Sequence, residues 1–353
     1  NLRGSNQYKG HDLFILGTGF SSAVSGGKLQ TLAQLSKELS PEINELFLAN
    51  EIPPDKLKGN KDKDIPGNIE HLLSYLAVEQ PWLRKAHALR NKAAFLDLSR
   101  LIAEKIGAKQ DEAIKAGLPD WFSSLVNKWH EYKANVITLN YDLLVEMAAT
   151  NIDASAVNHS DRTSKVNQDD LLPVTLTNIL SRIAGLLGGD DHQTLTLYKL
   201  HGSLNWYYSG KSEFHGETIY TVPVHEGKFE IRNDHEIAVK DKVPLVIPPT
   251  LDKTSFFNNE TIRNIWTTAG NAFKEAKRVF CLGYSFPETD MMVRHFILTN
   301  ANSDGAKFYW VNLKKHDGNL EKLLPEGYSI DHTYLGDDSI KNFSEVYTQG
   351  NIA

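Results

Sequence analysis

Leu13-Phe14-Ile15-Leu16-Gly17-Thr18-Gly19-Phe20-Ser21-Ser22 is the stretch on which the fold is decided. A short, continuous apolar run that stops at glycine reads as a first strand, over 11–16, buried on both faces and followed by a tight turn. Two later segments repeat the arrangement. The run Asn135-Val136-Ile137-Thr138-Leu139 opens into Asn140-Tyr141-Asp142, and the run from Leu195 to Leu200 opens into His201-Gly202-Ser203-Leu204-Asn205-Trp206. In each case small or polar residues stand where a buried strand should emerge, which is where open α/β sheets bind their ligands.

Working outward, apolar residues from Leu29 to Glu131 recur at helical spacing, as in Leu29, Leu32, Leu35 and Leu39, or Ile69, Leu72, Leu73 and Leu76. This predicts a helical layer over 29–131, inserted between strands one and two and broken by a lysine-, proline- and glycine-rich loop at Pro53–Lys63. Residues 143–149 read as a helix, 151–170 as a surface loop and 174–187 as an apolar helix stopped by Gly188-Gly189. Alternating aromatic and β-branched residues over 205–237 predict small hairpins. Further strands are expected at 244–247, 278–282, 307–311 and 328–332, with a helix at 261–277. The expected fold is α/β: a Rossmann-like doubly wound parallel sheet with a helical insertion and a small β-hairpin region. Residues 1–28 and 132–353 form the Rossmann domain, and 29–131 the helical subdomain.

Composition narrows the function. Of 353 residues, 41% are apolar and 23% charged, ordinary for a globular protein, and the net charge of −6 argues against non-specific nucleic-acid binding. Cys281 is the single cysteine, so neither a disulfide frame nor a cysteine-built zinc site is expected. The spacing of His71, His87, His130 and His192 matches no zinc motif. No apolar run approaches the ~20 residues of a membrane span, and Asn1-Leu2-Arg3-Gly4-Ser5 carries no signal-peptide hydrophobic region. A cytoplasmic protein is expected.

A strand ending in Gly-x-Gly allows backbone to approach a pyrophosphate, with the Ser21 and Ser22 hydroxyls as donors, although a plain strand-to-helix turn has the same pattern and the usual third glycine is absent. Asn140 and Asp142 place an amide and a carboxylate two residues apart, suited to a ribose hydroxyl and a carboxamide. Asp142 equally suits a helix cap. His201, at a strand mouth, suits proton transfer or polarisation of a hydroxyl, while a satisfied structural histidine is the plainer reading. Gly283-Tyr284-Ser285 and Asn312 close two later strands and belong to the second half of such a fold, or to ordinary turns.

Taken in order, these segments resemble the sirtuin superfamily: a glycine-rich loop, an Asn-x-Asp, a His-Gly, a Gly-x-Ser and a late Asn. The closer likeness is to the sirtuin-like NADases of bacterial anti-phage defence. Thr138–Asp142, Leu200–Trp206, Ile247-Pro248-Pro249-Thr250 and Leu282–Asp290 have the character of that branch. The chain departs from protein-deacylating sirtuins in lacking the four-cysteine zinc ribbon. Its glycine loop runs on as Ser25-Gly26-Gly27-Lys28, without their Pro-x-Phe-Arg element, and Leu139 stands where they place a glutamine.

The resemblance implies an enzyme that cleaves the nicotinamide–ribose bond of NAD without a metal. It implies that Asn140 holds the ribose and attacking water, that His201 polarises or deprotonates a ribose hydroxyl or that water, and that Asp142 holds the nicotinamide carboxamide. Gly17, Thr18, Gly19, Phe20, Ser21 and Ser22 are then the pyrophosphate loop, with Gly283, Tyr284, Ser285 and Asn312 on the adenosine side. A deacylase or ADP-ribosyltransferase on the same pocket, and a non-enzymatic module sensing NAD or ADP-ribose, are the alternatives. No sensor segment is recognisable in the sequence, so a homo-oligomer gated by a partner, such as a DNA-translocase-type ATPase or a short Argonaute, is expected.

Overall fold

The computed structural model describes residues 11–49, 69–77, 80–155, 157, 163–180, 192–210, 216–231, 233–247, 254–287, 290–301, 306–316 and 320–352. The strands, in chain order, are β1 (Asp12–Leu16), β2 (Asn135–Thr138), β3 (Asp153–Ser155), β4 (Thr163–Lys165), β5 (Thr177–Asn178) and β6 (Thr196–Lys199). They continue as β7 (Gly202–Tyr208), β8 (Tyr220–Thr221), β9 (Val243–Val246), β10 (Arg278–Leu282), β11 (Lys307–Val311) and β12 (Ser329–Asp331).

Six of these form one parallel sheet in the order β12-β11-β10-β1-β2-β6. Counted along the chain within the sheet, this is the 3-2-1-4-5-6 order of Rossmann-like folds. The strands advance from β1 towards β6 on one side and from β10 towards β12 on the other. The direction therefore reverses between β1 and β10, and a crevice opens there at the carboxyl ends of the strands. All five residues of β1 and of β10 are buried, as expected of parallel strands covered on both faces.

Two cores result, one on each face. Leu13, Ile15, Ile137 and Val279 face a core that includes Leu35, Leu72, Phe95, Leu98 and Ile265. Phe14, Leu16, Val136 and Phe280 face another, built with Phe20, Phe122, Trp129 and Phe343. Helices between β1 and β2 thus serve both faces: Lys85–Ala116 packs into the first core and Asp120–Tyr132 into the second. The aromatic stack Phe14–Phe280–Tyr309, with centroids 4.8 and 4.7 Å apart, runs across three neighbouring strands.

Three expectations are corrected. Residues 174–180 of the expected helix are not helical; β5 lies there and pairs parallel with β8. The β-branched residues Val174, Thr175, Thr177 and Ile179 favour an extended chain, and burial of Leu176 and Ile179 fixes it. Residues 181–187 fall outside the described set, as does the Pro53–Lys63 loop. The loop expected over 151–170 carries the antiparallel pair β3–β4 and a short helix, Gln168–Leu171. Within 205–237, β7 and β8 pair antiparallel, but Asn233–Val239 is a helix, its first turn carrying Asp234 and Glu236 as the helix dipole favours. Among the described residues, no helix is long and apolar enough to cross a membrane.

Candidate active site

A cavity of about 340 Å³ opens at the carboxyl ends of the central strands, at the low end of the range for small-molecule sites. Much of its polar lining comes from the segments singled out by sequence: Thr18, Ser21, Asn140, Asp142, His201 and Ser285, with Tyr284 beside them. Leu29, Ile106, Leu139 and Pro287 supply apolar wall. The helical region therefore contributes Leu29, Gln30, Thr31 and Ile106 to the site as well as covering the sheet.

The glycines bring two strand ends together. Gly17 N–H donates to Leu282 O at 3.1 Å, Gly19 N–H to Gly283 O at 2.9 Å, and Phe20 N–H to Gly17 O at 2.9 Å. A Cβ on Gly17 would lie 2.5 Å from Tyr284 Cα, and one on Gly283, whose φ is +65°, 2.3 Å from Phe20 N. Glycine is required here because the turns after β1 and β10 pack backbone to backbone. Those three amides are committed to the protein, a use that the sequence pattern did not distinguish from cradling an anion.

Asn140 and Asp142 are joined through Ser21. Asn140 Nδ2 donates to Gly17 O and to Ser21 Oγ, both at 2.8 Å, and Ser21 Oγ–H donates to Asp142 Oδ2 at 2.6 Å. Because Nδ2 faces two acceptors, the amide orientation is set by the network. Among the described residues, Asn140 Oδ1 is then buried with no hydrogen-bond partner, an acceptor open to a donor from a ligand. Asp142 stands one residue before the N-cap, Leu143, of the helix Leu144–Ala149; its Oδ1 accepts Leu144 N–H at 3.2 Å while the side chain also lines the cavity.

Two supports hold this loop from behind. Lys199 Nζ, fully buried, donates to Asp142 O at 2.6 Å and to Glu146 Oε1 at 2.7 Å. Burial pushes the Glu146 carboxyl above its ordinary range, opposed by the adjacent Lys199 ammonium. Gln110, on the helix Lys85–Ala116, accepts Leu143 N–H at 2.6 Å.

His201 lies where the chain leaves one sheet for another. β6 ends at Lys199, and β7 begins at Gly202 in a second sheet of order β5-β8-β7-β9. Gly202 has φ +81°, and a Cβ there would stand 2.0 Å from Leu245 O. Only glycine permits this kink, which turns His201 into the cavity. Ile247 N–H donates to His201 O at 2.8 Å, and Trp266 Nε1 to Leu200 O at 3.2 Å, fixing the backbone on both sides. The ring of Tyr141 lies 6.4 Å from that of His201.

Facing His201 is a buried carboxylate, Asp290, with Oδ2 3.5 Å from His201 Nε2. Tyr284 Oη donates to the same oxygen at 2.8 Å. Burial, and after it the Asp290 carboxylate, push the Tyr284 hydroxyl well above its ordinary value, so it stays a donor. Asp290 has no role legible along the chain beyond being a carboxylate that closes the Leu282–Asp290 segment just before a helix. Lys199 was also passed over, although a lysine ending an apolar strand is itself unusual.

Some expected site residues stand elsewhere. Phe20 is buried in the second core, 5.9 Å from Phe122 and 6.0 Å from Trp129 between ring centroids. Gly17, Gly19, Ser22, Gly283 and Asn312 are outside the cavity lining. Asn312 Nδ2 donates to Tyr284 O at 3.0 Å, which fixes the loop after β10.

The arrangement defines a Rossmann-like α/β protein whose cavity at the strand reversal combines an unpartnered amide oxygen, two carboxylates, a histidine and hydroxyl donors. No protein-family model matches the chain, and the search of curated proteins finds no match.

Proposed function

We propose that the chain is an NAD hydrolase, cleaving the nicotinamide–ribose bond, and that it serves as a gated effector of anti-phage defence. The observation that carries this reading is the buried, unpartnered Asn140 Oδ1 in a residue that lines the cavity beside His201 and Asp142. An orphan acceptor of this kind suits a ribose hydroxyl or a water molecule.

Nicotinamide leaves as a neutral molecule, so the site needs no general acid. It must stabilise an oxocarbenium-like transition state, exclude bulk water and admit one molecule of it. On this reading Asn140 orients the ribose and the incoming water. His201 takes or polarises the hydroxyl proton, and the Asp142 side holds the carboxamide. Thr18 and Ser285, both exposed where they line the cavity, offer hydroxyls to the remaining dinucleotide.

An ungated NADase would empty its own cell of NAD, so control is assigned to association, with further copies of the chain or with a partner such as a DNA-translocase-type ATPase or a short Argonaute. Trp82, 77% exposed, and Leu89, 60% exposed, offer apolar surface for such contact.

The test is calorimetric NAD binding together with nicotinamide release, with and without an acetylated peptide, over a protein concentration series. Binding, with release independent of peptide and rising with concentration, is expected. Failure to bind NAD would overturn the reading, and release only with peptide would move the assignment to deacylation.

A further inference from the structure

We infer that Asp290 is the positioning residue for His201, fixing its tautomer and its ring for proton handling. The inference rests on the reading of His201 as the group that handles the proton, and goes beyond it by naming what prepares that histidine. Asp290 is 1% exposed and His201 4% exposed, yet both line the cavity. A buried carboxylate is retained only where it is bonded. This one lies between the His201 imidazole, at 3.5 Å, and the Tyr284 hydroxyl, at 2.8 Å.

Its placement is over-determined. Asp290 precedes the helix Met291–Asn300, and its carbonyl accepts Arg294 N–H at 3.2 Å, so the carboxylate stands at the positive end of that helix. Arg294 Nη1 donates to Phe286 O at 3.0 Å, holding Phe286 against the same helix. Phe286 adopts φ +51°, a conformation costly for an aromatic residue. The chain is therefore bent at Phe286, and Tyr284 and Asp290 meet at one point.

A carboxylate opposite Nε2 favours the tautomer with the proton on Nε2. Neutral His201 then keeps its lone pair on Nδ1, and the imidazolium that forms on accepting a proton is stabilised by the carboxylate. Tyr284 occupies a second lone pair of Oδ2 and narrows the positions the carboxylate can take. Asp290 exchanges no proton in this scheme; it acts through His201.

The experiment uses the full-length chain labelled with ¹⁵N-histidine, comparing wild type with Asp290→Asn, Asp290→Glu and Tyr284→Phe. The His201 signal is assigned as the one lost in His201→Gln. Wild type is expected to show His201 as the Nε2–H tautomer, and Asp290→Asn to populate the Nδ1–H form. In NAD turnover, Asp290→Asn is expected to lower kcat by about 10²-fold or more with KM changed less than about threefold. Tyr284→Phe should fall between it and wild type, and Asp290→Glu should restore part of the loss. An unchanged His201 tautomer in Asp290→Asn would overturn the inference, as would unchanged kcat. The tautomer is read without substrate, so a chain that does not hydrolyse NAD would remove the proposed function while leaving this comparison to decide Asp290.

Discussion

The two ends of the parallel sheet carry buried polar clusters of opposite character. At the amino ends of β1 and β10, Arg278 Nε and Nη2 donate to the two oxygens of Asp12 at 2.8 and 2.7 Å, and Tyr347 Oη donates to Oδ2 at 2.8 Å. Burial opposes the Arg278 charge, but its bonds to Asp12 outweigh that and raise its proton affinity. Both carboxylate oxygens are bonded, and Arg278 grips them in bidentate geometry. At the carboxyl end of the sheet, Asn140, just past the end of β2, has its Oδ1 without a partner among the described residues, beside a cavity. One end closes the sheet; the other stores an unmet hydrogen bond, as sites for ligands do.

The comparison breaks first if the open end proves dispensable. His201→Ala and Asn140→Ala are each expected to cut NAD turnover by about 10³-fold. The thermal midpoint should stay close to wild type in His201→Ala and fall in Asn140→Ala, which loses two buried hydrogen bonds. NAD affinity should be only modestly lower in Asn140→Ala. Nicotinamide release, calorimetry and a thermal melt measure this. Wild-type turnover in either variant would remove that residue from the mechanism, and a parallel fall in binding would leave Asn140 a positioning role alone.

The sealed end should behave oppositely. Arg278→Met leaves the Asp12 carboxylate buried beside an apolar chain and should destabilise the fold by about 3–5 kcal/mol in urea, while turnover per folded molecule stays at the wild-type value. Loss of specific activity would mean that the two ends are coupled along β1 and β10.

Gly202→Ala tests the junction that presents His201. The strained φ and the Leu245 carbonyl predict a loss of about 2–3 kcal/mol. The displaced imidazole should lower kcat as well. A variant as stable and active as wild type would show that the kink at Gly202 is not what orients His201.

The smallest expected effect is that of chelation. With one cysteine in the chain, EDTA should leave turnover unchanged; loss of activity restored by zinc would place a metal in the mechanism.

How much was legible depended on how local the cause was. Leu13–Leu16, Asn135–Thr138, Arg278–Leu282 and Lys307–Val311 were readable as buried strands because strands covered on both faces need continuous apolar runs. The segments that end them were readable as candidates because glycine, amides and hydroxyls stand out after such runs. Val174–Leu180 was misread because the choice between helix and strand there is made by pairing with Tyr220–Thr221, some 43 residues away. The same limit hid the helices' division between the two faces of the sheet.

By itself, the sequence determined where the buried strands β1, β2, β6, β10 and β11 lie, but not that Val243–Val246 pairs antiparallel in a second sheet. It also determined that Asn140, Asp142 and His201 follow the carboxyl ends of such strands, since apolar runs and the residues ending them are properties of the chain. The tertiary structure alone decided what those residues meet. It set Gly17 and Gly19 against Gly283, Asp142 against Ser21 and Lys199, and Asp290 opposite His201. Each of these contacts joins segments separated by tens to hundreds of residues, and no pattern along the chain specifies the distance at which two such segments stop.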